Sequence, residues 1–177
     1  MSRVHDLVRA ICTDLEEALP PVTARLYEGE FEAESQRRVR LAPPMVLVAP
    51  LGAKPGHDRG TGEWEVDVRL AAFCVHRSPQ PGRRQEDALS LAEAVATRAH
   101  LNETWGGAAA GLGELEQLEN LFSLSGEQAF SVWGVTWRQP ILLGESIWDG
   151  DGEIPTEIWV GFDAESYPED YEEQSHE

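Results

Sequence analysis

A formal charge of −18 over 177 residues, from 32 acids against 14 bases, sets the first limit on function. Only one lysine occurs, Lys54, and phosphate contacts need Lys and Arg, so the composition argues against a general nucleic-acid binder. The length suits one domain with an appendage.

The charge is uneven. Residues 145–177 hold twelve Asp or Glu and no Lys or Arg, which leaves the first 144 residues with 20 acids against 14 bases, or −6. Such a surface either meets basic protein partners or lets DNA pass without holding it.

In chain order, Val4, Leu7, Val8, Ile11, Leu15 and Leu19 make a helical stripe with Ser2 placed as N-cap, and Pro20 and Pro21 stop it. Charges inside that apolar pattern exclude a signal peptide. Residues 22–27 lean to strand. Residues 31–40 read as a short surface helix or a charged crossing segment. Met45 to Val48 is an apolar run between prolines, a short buried strand. The uncharged run 41–53 is too short for a bilayer span. Residues 53–62, AKPGHDRGTG, read as a long mobile hairpin loop.

The most informative stretch follows. Trp64, Val66, Val68 and Leu70 alternate with Glu65, Asp67 and Arg69, as in a half-buried strand. From Ala71 to Val75 both parities are apolar, so that part is covered on both faces. Residues 79–84, PQPGRR, with Pro79, Pro81 and Gly82, break the chain up to Arg84, and the helix is expected to start at Gln85. A helix then sets Ala88, Leu91, Ala92, Val95, Ala96 and Ala99 on one face. Glu86 and Asp87 lie near its start, Arg98 and His100 near its end, each sign where the helix dipole favours it. Trp105 plugs the helix end. Leu118, Asn120, Phe122 and Leu124 share a parity and lean strand; residues 125–128 read as a turn. A second strong strand covers residues 129–143, with Pro140 marking an edge, a bulge or its end.

These elements predict an α+β fold: a mostly antiparallel sheet, two main helices packed on one face, a projecting β-hairpin and an acidic C-terminal extension. The domain spans residues 1–144. Residues 145–177 form the extension, partly disordered or docked on a partner. The strand 64–78 has 15 residues, roughly 50 Å fully extended, whereas strands usually run about 3 to 10 residues. It must bend at a bulge, or its hairpin must project and leave edges that need a partner. That favours a subunit of an assembly over a lone enzyme.

A search for chemistry finds no GxSxG, HExxH, GxxxxGK[ST] or paired CxxC. His57, His76 and His100 match no metal-ligand spacing. DGDGE at 149–153 resembles part of a calcium loop but lacks its twelve-residue register. Cys12 and Cys74 read as core thiols in a reducing cytoplasm. Trp64, Trp133 and Trp137 share parities with core residues. Trp148, Trp159 and Phe162 lie in the acidic extension, where aromatics suit contact with another chain. No catalytic, cofactor-binding or metal residue is assigned.

The landmarks PPMVLVAPLG, WEVDVRLAAFCVHRS, ALSLAEAVATRAHLNETWGG and VWGVTWRQPILL, behind an N-terminal helix, resemble the tail terminator proteins of Mu-like, contractile-tailed bacteriophages. The resemblance covers residues 4–143. It implies an α+β virion subunit that assembles with itself into a ring, generally a hexamer. The ring caps the head-proximal end of the tail tube and sheath, stops polymerisation, and offers a surface to the neck connector. DNA passes through its centre without specific binding. It implies no enzyme activity, no cofactor and no membrane, with assembly in the host cytoplasm. Alternatives are a neck or head–tail completion protein, another small tail subunit, a small metal-dependent enzyme using His57, Asp58, His76 or His100, and an acidic mimic of DNA. On the ring reading, residues 64–69 with the loop 53–62 leave the body and meet a neighbouring subunit. The interface candidates are therefore Lys54, His57, Arg59, Trp64, Glu65, Asp67 and Arg69.

Overall fold

The computed structural model describes residues 2–27, 44–123, 130–147, 159–160 and 172–173. Helix α1 spans Arg3–Ala18, and Ser2 Oγ accepts from His5 N at 3.5 Å. Leu7, Val8, Ile11 and Leu15 are its buried stripe. Strand β1, Thr23–Leu26, follows at once and is tied back to the helix where Ala24 N donates to Glu16 Oε1 at 3.0 Å. Strands β2 (Met45–Asp58) and β3 (Trp64–Arg77) form a hairpin. Helix α2, Pro81–Leu101, leads through a short 3-10 turn at Trp105–Gly107 to β4 (Glu114–Ser123) and β5 (Phe130–Leu143). Two short strands, β6 (Trp159–Val160) and β7 (Glu172–Glu173), pair with each other.

The main sheet has the order β1-β2-β3-β5-β4, parallel only between β1 and β2. The fold is therefore α+β, and both helices cover the same face. Val66, Val68, Leu70, Ala72 and Cys74 of β3 share one core with Leu7 and Ile11 of α1 and with Leu91, Ala92 and Val95 of α2. Each fully buried Leu or Val here contributes about 1.5–3 kcal/mol. The opposite face is apolar at one end only, where Met45, Val75 and Val132 sit in one cross-strand row beside Leu47, Phe73 and Phe130. On that second face Ala71 and Val75 are buried and Phe73 is half-buried, in line with the double-parity run.

Three local expectations are corrected. Residues 53–58 are strand rather than loop; the turn is only 59–63. Beyond Leu26↔Val48, β2 has no β1 partner, and prolines are tolerated along such an edge. Pro50 and Pro55 both stand at register shifts against β3. Asp58 Oδ1 accepts from Gly60 N at 2.8 Å, and Gly60 and Gly62 take positive φ, which closes the turn.

Second, residues 64–69 do not leave the body. They pair with β2 on one side and with Arg138 to Leu143 of β5 on the other, and Val66 and Val68 are core. The alternation there records a core face. The long strand β3 is unbroken against β5; the irregularities fall on its neighbours β2 and β4.

Third, α2 begins at Pro81, four residues before the expected start. Proline is suited to the first helical position, since its missing N–H would have no partner there. Glu86 and Asp87 consequently lie beyond the first turn, while Arg98 and His100 do occupy the last.

Behind the C-terminus of α2, Trp105 is buried. Its Nε1 donates to Gln139 Oε1 at 2.9 Å, and Gln139 Nε2 donates to the Gly111 carbonyl. Asp14 of α1 receives a bidentate pair from Arg98 at 2.7 and 2.6 Å and a third bond from Asn102 at 2.9 Å, which joins the two helices. Pro140 sits past the last β4 partner, Glu114↔Arg138, where the segment before β4 takes over and Ala110 N donates to the Pro140 carbonyl at 2.8 Å. Cys74 is fully buried and its thiol pushed up to about 12 by burial; Cys12, packed against the core, is pushed up to about 11 by burial and then by Glu16. The readings for residues 31–40 and 125–128 lie outside the described residues.

Candidate functional site

The interface candidates all fall on the β2–β3 hairpin. In β2 burial stops at Ala49, and every residue from Pro50 to Asp58 is exposed. Lys54 and His57 lie on this overhang and Arg59 opens the turn. Arg59 is paired with Glu65 through Nε at 3.0 Å and through its Nη2, which staples the turn to β3. Trp64, at the tip of β3, is 51% exposed rather than core, because its partners Asp58 and Leu143 are the last residues of their strands. An open groove of about 490 Å³ runs along Pro55, His57, Asp58, Gly62 and Trp64. Ile147 follows beside it, 61% exposed, with its N–H donating to the Thr61 carbonyl at 2.7 Å.

A second groove, about 360 Å³, lies on the sheet face away from the helices. Lys54 stands opposite Asp67 in the register, and Arg69 opposite Arg138. Two arginines side by side would repel, but Glu116 of β4 accepts from both: Arg69 Nε at 2.6 Å and Arg138 Nε at 2.7 Å. The Arg69 hydrogen bond, its charge and that of Arg138 hold the Glu116 carboxyl below the usual carboxylate range. Glu116 is the residue left unmatched at the β4 bulge between Leu115 and Gln117, which lets it reach two strands. Neither Glu116 nor Arg138 was a sequence candidate. Their charges are ordinary in the chain, and only the strand order brings them to Arg69.

This triad makes a pH prediction. A depressed folded value means the stabilisation is present above the unfolded pKa and is lost as pH falls through the folded one. The thermal midpoint of Glu116→Gln is therefore expected below wild type at neutral pH, with the gap closing as the pH falls through and below the ordinary carboxylate range. A gap that is constant from neutral to acid pH would contradict the pairing.

Among the described residues no three His, Cys, Asp or Glu are grouped so as to hold a metal ion. His57 is on the hairpin, His100 at the end of α2, and His76 faces Asp87 with 3.6 Å between Nδ1 and Oδ2. No helix among the described residues is long and apolar enough to cross a membrane. Of the aromatic partner-contact candidates, Trp159 lies in β6, while Trp148 and Phe162 lie outside the described residues. No protein-family model matches the chain, and no curated protein matches it.

Proposed function

We propose that this chain is a structural subunit of a contractile phage tail: a terminator that forms a closed ring at the head-proximal end of tube and sheath. The observation that carries the reading is the overhang of β2. Among the described residues it is paired from Pro50 to Asp58 only with β3, and all nine residues are exposed. A long edge of unpaired backbone groups is a template for another chain. The far edge of the sheet, β4, carries exposed Leu115 and Leu121. Two different edges engaging head to tail make a heterologous contact, which gives a ring when the rotation closes. The resemblance of the strand and helix landmarks supplies the virion setting, and the acidic balance of the chain suits a ring that does not hold the DNA within it.

The test is electron microscopy of particles assembled without this protein. Terminator function predicts tails of irregular length that fail to join heads. Tails of normal length joined to heads would overturn the reading. Tails of normal length that remain unjoined would transfer the protein to the neck.

A further inference from the structure

The other end of the sheet carries a basic feature that lies outside the proposed interface edges. In a chain with more than twice as many acids as bases, residues 70–85 contain Arg77, Arg83, Arg84 and His76 and no Asp or Glu. These residues bring β3 to its end and start α2. The N-terminus of α2 has no side-chain cap: Gln80, at the N-cap position, makes no such bond. The first intrahelical donor is Arg84 N, to the Gln80 carbonyl at 3.0 Å, so the N–H groups of Gly82 and Arg83 have no helical acceptor. A 21-residue helix concentrates partial positive charge at this end. The mouth is open, since nothing lies within 4 Å of where a Gly82 side chain would begin.

Arg84, in the first turn of α2, is only 2% exposed. Helical side chains lean towards the N-terminus, and its Nη1 reaches the Ser78 carbonyl, just ahead of the helix, over a long 3.4 Å. Its Nε is buried and makes no hydrogen bond. Two more buried polar atoms on the same sheet face, His76 Nδ1 and Ser131 Oγ, also lack partners, and these residues are directly opposite in the β3–β5 register. The acid that faces them is Asp87, 3.6 Å from His76 Nδ1, and it makes no ion pair with Arg84. A buried guanidinium with one long bond to a carbonyl is strongly disfavoured unless an anion compensates it.

We propose that the N-terminal mouth of α2, floored by Arg84 and flanked by His76, is a binding site for a phosphate-type oxyanion. Unpaired helix amides and a buried arginine together form an anion cradle. The occupant is either free phosphate or one phosphodiester group of a nucleic acid. This site is independent of ring formation, so its failure would leave the tail assignment untouched.

The experiment is calorimetric titration of the full chain with inorganic phosphate, against sodium chloride at matched ionic strength. Saturable binding with Kd of about 1 mM or tighter is expected. Arg84→Gln should weaken it by at least about tenfold. Because a buried substitution can unfold the chain, the exposed Arg83→Gln is the second variant, expected to weaken binding about two- to fivefold. A short single-stranded oligonucleotide that displaces phosphate assigns the site to a phosphodiester; one that does not assigns it to free phosphate. No saturable binding to wild type, or affinity unchanged in every folded variant, overturns the proposal.

Discussion

Trp137→Ala is expected to lower stability by about 3–5 kcal/mol and the thermal midpoint by about 10 °C. Trp137 is fully buried in the main core, in a cross-strand row with Leu70 of β3 and Leu115 of β4. It lies one turn of the pleat from Gln139, which holds Trp105 behind the helix end. Removing the indole empties space that β3 and β5 cannot close, because their register is continuous over fourteen pairs and neither strand has a bulge to absorb a shift. The indole N–H, however, is buried without a partner, a standing cost that the ring's packing offsets. Trp137→Phe keeps most of the packing and sheds that donor, so its loss should be only about 1 kcal/mol. Chemical denaturation of both variants checks this. An alanine variant that melts within about 2 °C of wild type would mean the ring is not packed as described.

That core was legible in the sequence because its signals are local. The alternation from Trp64 to Leu70 and the stripe from Ala88 to Ala99 each depend on one strand or one helix, and both survive in the fold. What was not legible depends on neighbours. Pro50 and Pro55 read as breaks, yet they sit on a strand whose outer edge has no β1 partner, so prolines cost little there. Pro81 and Gly82 read as a loop, yet proline is a natural first helical residue. Trp64 reads as core by parity, but parity says which face a residue takes, not whether anything covers that face at the strand's tip.

The candidate site follows the same division. Lys54, Asp67 and Arg69 could be marked from the hairpin pattern, since β2 and β3 are joined by a short turn. Arg138 and Glu116 could not, because they arrive from the fifth and fourth strands and the chain order β4, β5 is reversed in the sheet. Glu116 also needs the bulge, which no periodicity announces. Arg84 was read only as the end of a break; its significance depends on being buried under the first turn of a helix that starts earlier than the pattern suggests.

The second large effect comes from adding one carbon. Gly113→Ala is expected to cost about 3 kcal/mol, although alanine is the smallest change available and the backbone there needs no positive φ. Gly113 is buried where the chain passes between the end of α2 and β5, just before β4. A Cβ at this position would press into the Ala99 carbonyl oxygen, with Gln139 Oε1 at 3.0 Å and Trp137 Cδ1 at 3.1 Å. None of the three can yield cheaply. Ala99 is in the last turn of α2, Gln139 is held by Trp105 and Gly111, and Trp137 is packed in the core. Relief would have to come from moving the helix end away from the sheet, which also strains the Asp14–Arg98 pair one residue before. Gly82→Ala provides the opposite case: the same added methyl meets open space, in a helix, and should raise stability by about 0.4–1 kcal/mol by restricting the unfolded chain. Thermal melts of the two variants should therefore move in opposite directions. If both rise, or if Gly113→Ala is neutral, the passage between α2 and β5 is wider than the described contacts allow.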